Sequence, residues 1–522
     1  MYLVLSASKD TYITNKIINN SFRATDANVG LAGTLDLFKL YDESSALTTD
    51  TSVNAPIVGT NSEPIEFSRV LIKFDYDELS SLLDRGKVDI NSNSFKAFLS
   101  LKDVYGGQTT PNNFKIIAMP LSKSFDEGKG RDIVNFADID TTNFITSSYS
   151  NGTTHAWNSS GALASGSLDD LNIDVIISGS LEGPSGIQIL NLSSEQLFET
   201  GKEDLNLDIT NAVSASLSGQ LTNHGFLVAY SGSYEKDAKT YFVKRFGSVN
   251  ASNVFNRPSI VINYDDSVTD NHRNFIFSVT GSLFLNNFHL GSPTNILSGT
   301  AGTEIKEDSC MKLILKSGSY SSTHSVSQHK VGDQYQTGIY SSSFAVSEYH
   351  ANLFSHVKSA NSASFTQIWS SNDLTVGYLT SSLIIKSPFR SAYDGSIQRL
   401  IVTCKNLRDV YRKNDEAKIR VFIEDRAEKV IFTKTPVENI SAIFSQMYYR
   451  VVDIQTGKVV IPFDAINKST KLSSDSEGMF FIMYMKSLTP GRTYKFEFLI
   501  KDFDSDFFID DASGKFIIDN RS

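Results

Sequence analysis

The chain has 522 residues, 40% of them hydrophobic and 20% charged, with a formal net charge of -10. This length predicts about three or four domains, and the apolar share gives each enough core to exclude wholesale disorder. The acidic balance repels phosphate backbones and anionic lipid, so no nucleic acid and no membrane insertion is expected, and two cysteines in 522 residues exclude a disulfide framework.

From the amino end, Met1-Tyr-Leu-Val-Leu-Ser6 lacks the basic and long apolar regions of a secretory signal. No apolar run approaches the ~18 residues that span a bilayer. The expectation is synthesis in a cytoplasm, with release inside a virus particle as one route out. Short alternating runs bounded by Gly, Ser, Asn and Asp then read as strands: Val70–Asp75, Phe95–Lys102, Phe114–Leu121, Gly225–Tyr230 and Ser259–Tyr264. Their spacing predicts an all-β chain of β-sandwich type. Helical turns are expected only over Tyr76–Leu83, Asn211–Leu217 and Pro436–Phe444. The Ser/Gly/Thr/Asn-rich stretches Thr146–Ser167 and Ser317–Ser327 read as extended surface loops.

A polar bridge at Asp265–Arg273 marks a first boundary, and Pro388 to Ser396 a second. The expected domains are 1–265, 266–390 and 391–522, the last two of immunoglobulin-like size. The second holds Gly338–Val346 and Gln367–Ser370 as strands, with Trp369 expected as a buried core anchor. The third holds Ile397–Thr403, Lys418–Ile423, Met447–Val452, Phe480–Met485 and Lys495–Ile500. Cys310 and Cys404 each sit in a strand-like run and are expected as free thiols.

Several dispersed pieces of the first domain carry a resemblance. They are Ser8-Lys-Asp-Thr-Tyr-Ile13, Asn28-Val-Gly-Leu-Ala-Gly-Thr-Leu-Asp-Leu-Phe38, Ser68-Arg-Val-Leu-Ile-Lys-Phe-Asp75, Leu205–Thr210 with Ala212-Val213, Asn223–Tyr230 and Arg257–Tyr264. Together they resemble the DNRLRE-type module, which implies a jelly-roll-like β-sandwich of the kind found on bacterial surface proteins and in tailed-phage virions. Ser122–Arg131 and Thr154-His-Ala-Trp157 look like a further stretch of the phage forms, with Phe125 where those have Trp. In the third domain, Leu488-Thr-Pro-Gly-Arg-Thr-Tyr494 resembles the turn of fibronectin type III and related immunoglobulin-like domains, with Tyr494 placed for a tyrosine corner. The fold expected is therefore a jelly-roll-like β-sandwich followed by two immunoglobulin-like β-sandwiches.

Motifs for chemistry are sparse. His324, His329, His350 and His356 are spaced by five and six residues at their ends, fitting no zinc motif, and read as solvated loop residues; metal binding by them stays open. Gly128-Lys-Gly-Arg131 is too short for a phosphate loop. Asp502–Asp511 has alternating Asp but lacks the glycine and glutamate of an EF-hand loop, and reads as a solvated turn. No cofactor and no catalytic residue is expected. Three functions are weighed: a bacteriophage virion structural protein of the neck, tail, baseplate or fibre, contacting other virion proteins and forming a homo-oligomer; a carbohydrate-binding module in which exposed Trp157, Tyr149 or Tyr234 stacks on a host surface glycan; and a polysaccharide depolymerase.

Overall fold

The computed structural model describes residues 1–19, 22–41, 66–104, 112–183, 186–272, 274–299, 302–387, 400–425, 441–501, 506–510 and 514–519. It is all-β, with a few short helices, and divides into two compact units. One comprises Leu3–Ser80 and Lys96–Ile262; the other comprises Met1–Tyr2, Ser81–Phe95 and Asn263–Ser522.

The first unit is built on β1 (Tyr2–Thr14), β2 (Thr34–Leu40), β3 (Glu66–Phe74), β4 (Lys96–Leu101), β5 (Phe114–Pro120), the hairpin β6 (Thr146–Ser150) and β7 (Thr153–Ala156), β8 (Ser165–Ser167), β9 (Val175–Gly183), β10 (Gly186–Asn191), β11 (Ser194–Phe198), β12 (Leu205–Asp208), β13 (Phe226–Tyr230), β14 (Tyr241–Gly247) and β15 (Ser259–Asn263). Ten of these form one sheet in the order β11-β5-β13-β3-β1-β15-β4-β12, with β2 joining β3 to β14. β3 is buried along nearly its whole length because it lies between β1 and β13 with side chains packed on both faces. Helix α1 (Asp77–Asp84) and helix α2 (Thr210–Leu217) lie where helical turns are expected.

A sheet of this size has two edges to manage, and here a side chain joins them. Gln196 on β11 donates its Nε2 hydrogen to the Asp204 carbonyl (2.8 Å) and accepts from the Asn206 N–H (2.7 Å) at the start of β12. The amide thus copies one step of a strand ladder across the gap between the two ends and covers the edges at that point.

Two buried polar knots fix the loops. Arg69 on β3 forms a bidentate pair with Glu235 of helix α3 (Gly232–Lys236), at 3.0 and 2.6 Å, and its remaining nitrogen donates to the carbonyls of Gly161 and Ala162 at 3.1 and 2.7 Å. Asn28 uses both ends of its amide: Nδ2 donates to the Glu127 and Thr142 carbonyls (both 2.9 Å), and Oδ1 accepts from Gly130 N–H (2.9 Å) and Gly30 N–H (3.3 Å). A Cβ on Gly130 would lie 1.7 Å from the Asn28 carbonyl oxygen, and one on Gly30 would lie 1.8 Å from that of Glu127. Gly128-Lys-Gly-Arg131 is glycine-rich because two backbones cross there with no room for side chains.

Asp10 on β1 is buried; its Oδ2 accepts from the Val249 N–H (2.7 Å), while Oδ1 has no hydrogen-bond partner. Burial first, then the nearby Glu127 carboxylate, pushes its pKa up to about 7 against the pull of that N–H. The unfolded chain releases this proton near pH 4, so the folded state binds more protons between about pH 4 and 7. Stability contributed by the neutral carboxyl is therefore lost as pH rises through that window, at about 1.4 kcal/mol per pH unit. Denaturant titrations from pH 5 to 8 are expected to show this falling slope, to which Asp270, also pushed up to about 7 by burial, adds its own share; Asp10→Asn is expected to remove the Asp10 share and to stabilise the protein at pH 7.5.

The second unit holds a seven-stranded sheet of β16 (Phe275–Ile276), β17 (Gly281–Asn286), β18 (Met311–Ser317), β19 (Tyr320–Val331), β20 (Gln334–Phe344), β21 (Ser362–Ser370) and β22 (Gly377–Lys386), in the order β16-β22-β21-β18-β19-β20-β17. Its core includes Trp369, as expected. Beyond it come a four-stranded sheet of β23 (Leu400–Cys404), β24 (Glu416–Asp425), β25 (Ser473–Asp475) and β26 (Gly478–Tyr484), and a six-stranded one that includes β27 (Met447–Asp453), β28 (Thr493–Lys501), β29 (Asp506–Ile509) and β30 (Phe516–Asp519). The tyrosine corner is formed: Tyr494 Oη donates to the Thr489 carbonyl (2.9 Å) and accepts its N–H (3.0 Å), over a buried Leu488. The polar segment after Tyr264 is a strap. Val268 and Asp270 bond to the backbone of Ser474 on β25, an edge strand, while Asn271 bonds to Ser282 on β17, the edge of the seven-stranded sheet.

Some expectations are corrected. Ser317–Ser327 is not a surface loop but the β18–β19 turn and most of β19, whose polar run alternates around the buried Tyr320 and Val326. Thr146–Ser167 contains the β6–β7 hairpin and β8, with Thr146 and Ser147 buried; the Asn143 side chain accepts the N–H groups of Ile145 and Thr146 (2.9 and 2.7 Å), so hydrogen bonds do there what apolar contacts do elsewhere. Within the acidic run, Asp506–Ile509 is a strand paired to β28 rather than a turn; residues 502–505 and 511 lie outside the described residues. So do the boundary at Pro388–Ser396 and residues 436–440 of the expected third helix, whose remaining residues 441–444 are not helical.

Candidate assembly surface

The small sheet β8-β9-β10 ends on β10, and this strand differs from the other edges of the first unit. Its sequence, Gly186-Ile-Gln-Ile-Leu-Asn191, is uncharged, and Ile187 and Ile189 are 76% and 79% exposed on one face. β11, by comparison, carries Glu195, which pairs with Lys115 at 3.2 Å. A neutral, apolar edge strand is the type that natural sheets usually blunt with charge or proline.

Hydrogen bonds on β9 settle which way the β10 backbone faces. Glu182 donates its N–H to Gln220 Oε1 (2.5 Å) and its carbonyl accepts from Gln220 Nε2 (2.9 Å), and the Ser178 carbonyl accepts from Leu168 N–H (2.8 Å), all on the side away from β10. Gly179 and Leu181 therefore bond toward β10, where they face Leu190 and Gln188. The N–H and C=O groups of Ile187 and Ile189 consequently point to the outer edge. Asn191, which also points outward, has its carbonyl occupied by Asn211 Nδ2 at 3.0 Å. Nothing in composition flagged this strand; the readable signal was two apolar runs, Val175-Ile-Ile177 and Ile187-Gln-Ile-Leu190, around Gly183-Pro-Ser-Gly186, a hairpin pattern without a single charge after Glu182.

The three aromatic candidates occupy three different settings. Trp157 is 5% exposed, packs in a core cluster with Ile13, Leu71, Phe125 and Leu227, and donates its indole N–H to the Asn143 carbonyl (3.0 Å). This corrects the expectation of an exposed ring: with its one polar atom satisfied internally, the indole is free to bury its apolar area. Tyr149 is 40% exposed on β6. Tyr234 is half-buried in α3; its carbonyl accepts from the buried Lys39 ammonium (2.7 Å).

Two of the four histidines are placed differently from a solvated loop. His324 and His329 lie on β19: His324 stacks on Phe344 with centroids 4.8 Å apart, and His329 meets Phe284 edge-on at 4.9 Å. Burial lowers the pKa of both, that of His329 to about 4. His350 and His356 are exposed. Among the described residues no group of three or more His, Cys, Asp or Glu is arranged to hold a metal ion, and no helix is long and apolar enough to cross a membrane. Cys310 and Cys404 are free and half-buried, and burial pushes the Cys404 thiol up to about 12.

No family model and no curated protein matches the chain. Among solved structures it is similar to tandem Ig repeats of Dlar, at 9% identity and a TM-score of 0.13, over 47% of this chain and 93% of that one. It is also similar to the native conformation of E. coli alpha-2-macroglobulin, at 9% identity and a TM-score of 0.12, over 98% of this chain and 35% of that one. Scores this low carry no argument, and the all-β fold rests on the strand pairing itself.

Proposed function

We propose that this chain is a structural component of a bacteriophage virion, in the neck, tail, baseplate or a fibre, and that it works through protein–protein assembly contacts. The observation that carries the assembly part is the exposed, uncharged β10 edge with Ile187 and Ile189 on its outer face, a surface suited to another polypeptide rather than to water. The virion part rests on the resemblance of residues 1–264 to a module of tailed-phage particles. The glycan reading has lost Trp157 as a stacking platform and, of its three candidate rings, keeps Tyr149 as the well-exposed one.

The test is a mass-spectrometric inventory of purified particles from a phage that encodes the chain. The expected result is this chain in fixed stoichiometry with the other virion proteins. Its absence from intact particles would overturn the proposal, and release of reducing ends from host polysaccharide by the purified chain would point to a depolymerase instead.

A further inference from the structure

The geometry points to one occupant for the β10 edge: β10 of a second copy of this chain, paired antiparallel about a two-fold axis through Gln188. This inference rests on the assembly reading above and specifies its contact.

Register supplies the argument. Among the described residues of β10, only Ile187 and Ile189 direct both an N–H and a C=O outward with no partner, since the carbonyl of Asn191 is taken by Asn211. Two copies satisfy these groups reciprocally when Ile187 of each faces Ile189 of the other, which makes two hydrogen-bonded pairs and four backbone hydrogen bonds. That register places the two Gln188 residues opposite each other in a non-hydrogen-bonded pair, where side chains come closest, and a primary amide is both donor and acceptor and so complements itself. It also sets Leu190 of each copy across from Gly186 of the other, a large side chain against a position with none. On the opposite face the four isoleucines, 76% and 79% exposed in the single chain, cover one another. A shift by two residues in either direction would leave an outward isoleucine without an isoleucine partner.

Charge restricts a contact between two copies to this strand. Two copies each carrying -10 repel one another over most of their surfaces. The strand that would form the seam has no ionisable side chain, and the acidic residue on that face, Glu182, sits one strand back on β9. A closed two-fold contact also uses up the edge on both copies and does not propagate into a fibre.

A seam of one strand from each copy is at the small end of specific interfaces, so the expected dissociation constant is about 1–100 μM. Sedimentation equilibrium on the full chain across that range is expected to show monomer and dimer. Ile189→Lys, which adds a charge that meets its own copy across the axis, is expected to raise the dissociation constant at least about tenfold with an unchanged melting temperature. As a second measurement, Gln188→Cys in a Cys310→Ser/Cys404→Ser background is expected to give a disulfide-linked dimer on mild oxidation. Ser180→Cys in the same background, on the covered strand β9, is expected to give none. A chain that stays monomeric to about 100 μM, a dimer indifferent to Ile189→Lys, or equal cross-linking from both cysteines would each overturn the inference. None of these results bears on whether the chain is present in particles, and absence from particles would leave the dimer result standing.

Discussion

Arg69→Ala is expected to cost the first unit about 3–5 kcal/mol. The arginine and Glu235 are both nearly buried, and the guanidinium serves four acceptors at once: two carboxylate oxygens and the carbonyls of Gly161 and Ala162. Truncation leaves a carboxylate without its counter-charge and two carbonyls without donors, and the desolvation cost of each then falls on the folded state alone. Scanning calorimetry is expected to show a melting temperature lowered by about 10 °C. Arg69→Lys keeps the charge but not the planar fork, and is expected to recover only part of the loss. The double variant Arg69→Met/Glu235→Leu removes both charges and fills their space, and should melt closer to the parent than either single change does. If the double variant proves as unstable as Arg69→Ala, the carbonyl bonds rather than the ion pair dominate the site.

Gly130→Ala is the second large effect expected. The added methyl would stand 1.7 Å from the Asn28 carbonyl oxygen, a backbone atom that cannot swing aside as a flexible side chain can. Relief requires the two strands of chain to part, which costs about 1–3 kcal/mol as overpacking and weakens the 2.9 Å bond from Gly130 N–H to Asn28 Oδ1 by about 1 kcal/mol more. Equilibrium denaturation should therefore find about 3 kcal/mol lost. Gly152→Ala is a suitable control: that glycine lies in the β6–β7 turn with positive φ, yet an added Cβ there meets nothing within 4 Å. It should lose only the conformational cost of about 1 kcal/mol.

These two sites also show how far the sequence could be read. The pieces Asn28-Val-Gly30 and Gly128-Lys-Gly130 were both visible as motifs, but one sequence does not say that they lie against each other, because the crossing is fixed by hydrogen bonds a hundred residues apart. Strands with a plain apolar run, such as Val70–Phe74, were legible because burial alone specifies them. The tyrosine corner was legible for a different reason, its bond being local, between Tyr494 and Thr489. What escaped was structure made from polar residues. β19 alternates Ser, Thr and His around a few buried positions, and β6 is held by the Asn143 side chain, so hydropathy registers neither. Trp157 was misplaced because a tryptophan beside polar residues reads as exposed until its N–H is seen to have an internal acceptor. The β10 edge carried no signal of importance of its own, since exposure is a property of what fails to pack against a strand.

The order of strands in the large sheet sets a clock on synthesis. β1 lies inside that sheet between β3 and β15, and these neighbours come from residues near 70 and near 260. A ribosome adding 5–20 residues per second needs roughly 10–40 s after β3 emerges before β15 exists. For that interval the nascent chain carries β1 as a half-paired strand. Its yield in a cell should depend on chaperones that bind extended apolar segments during translation, and slowing elongation should lower the soluble fraction rather than raise it.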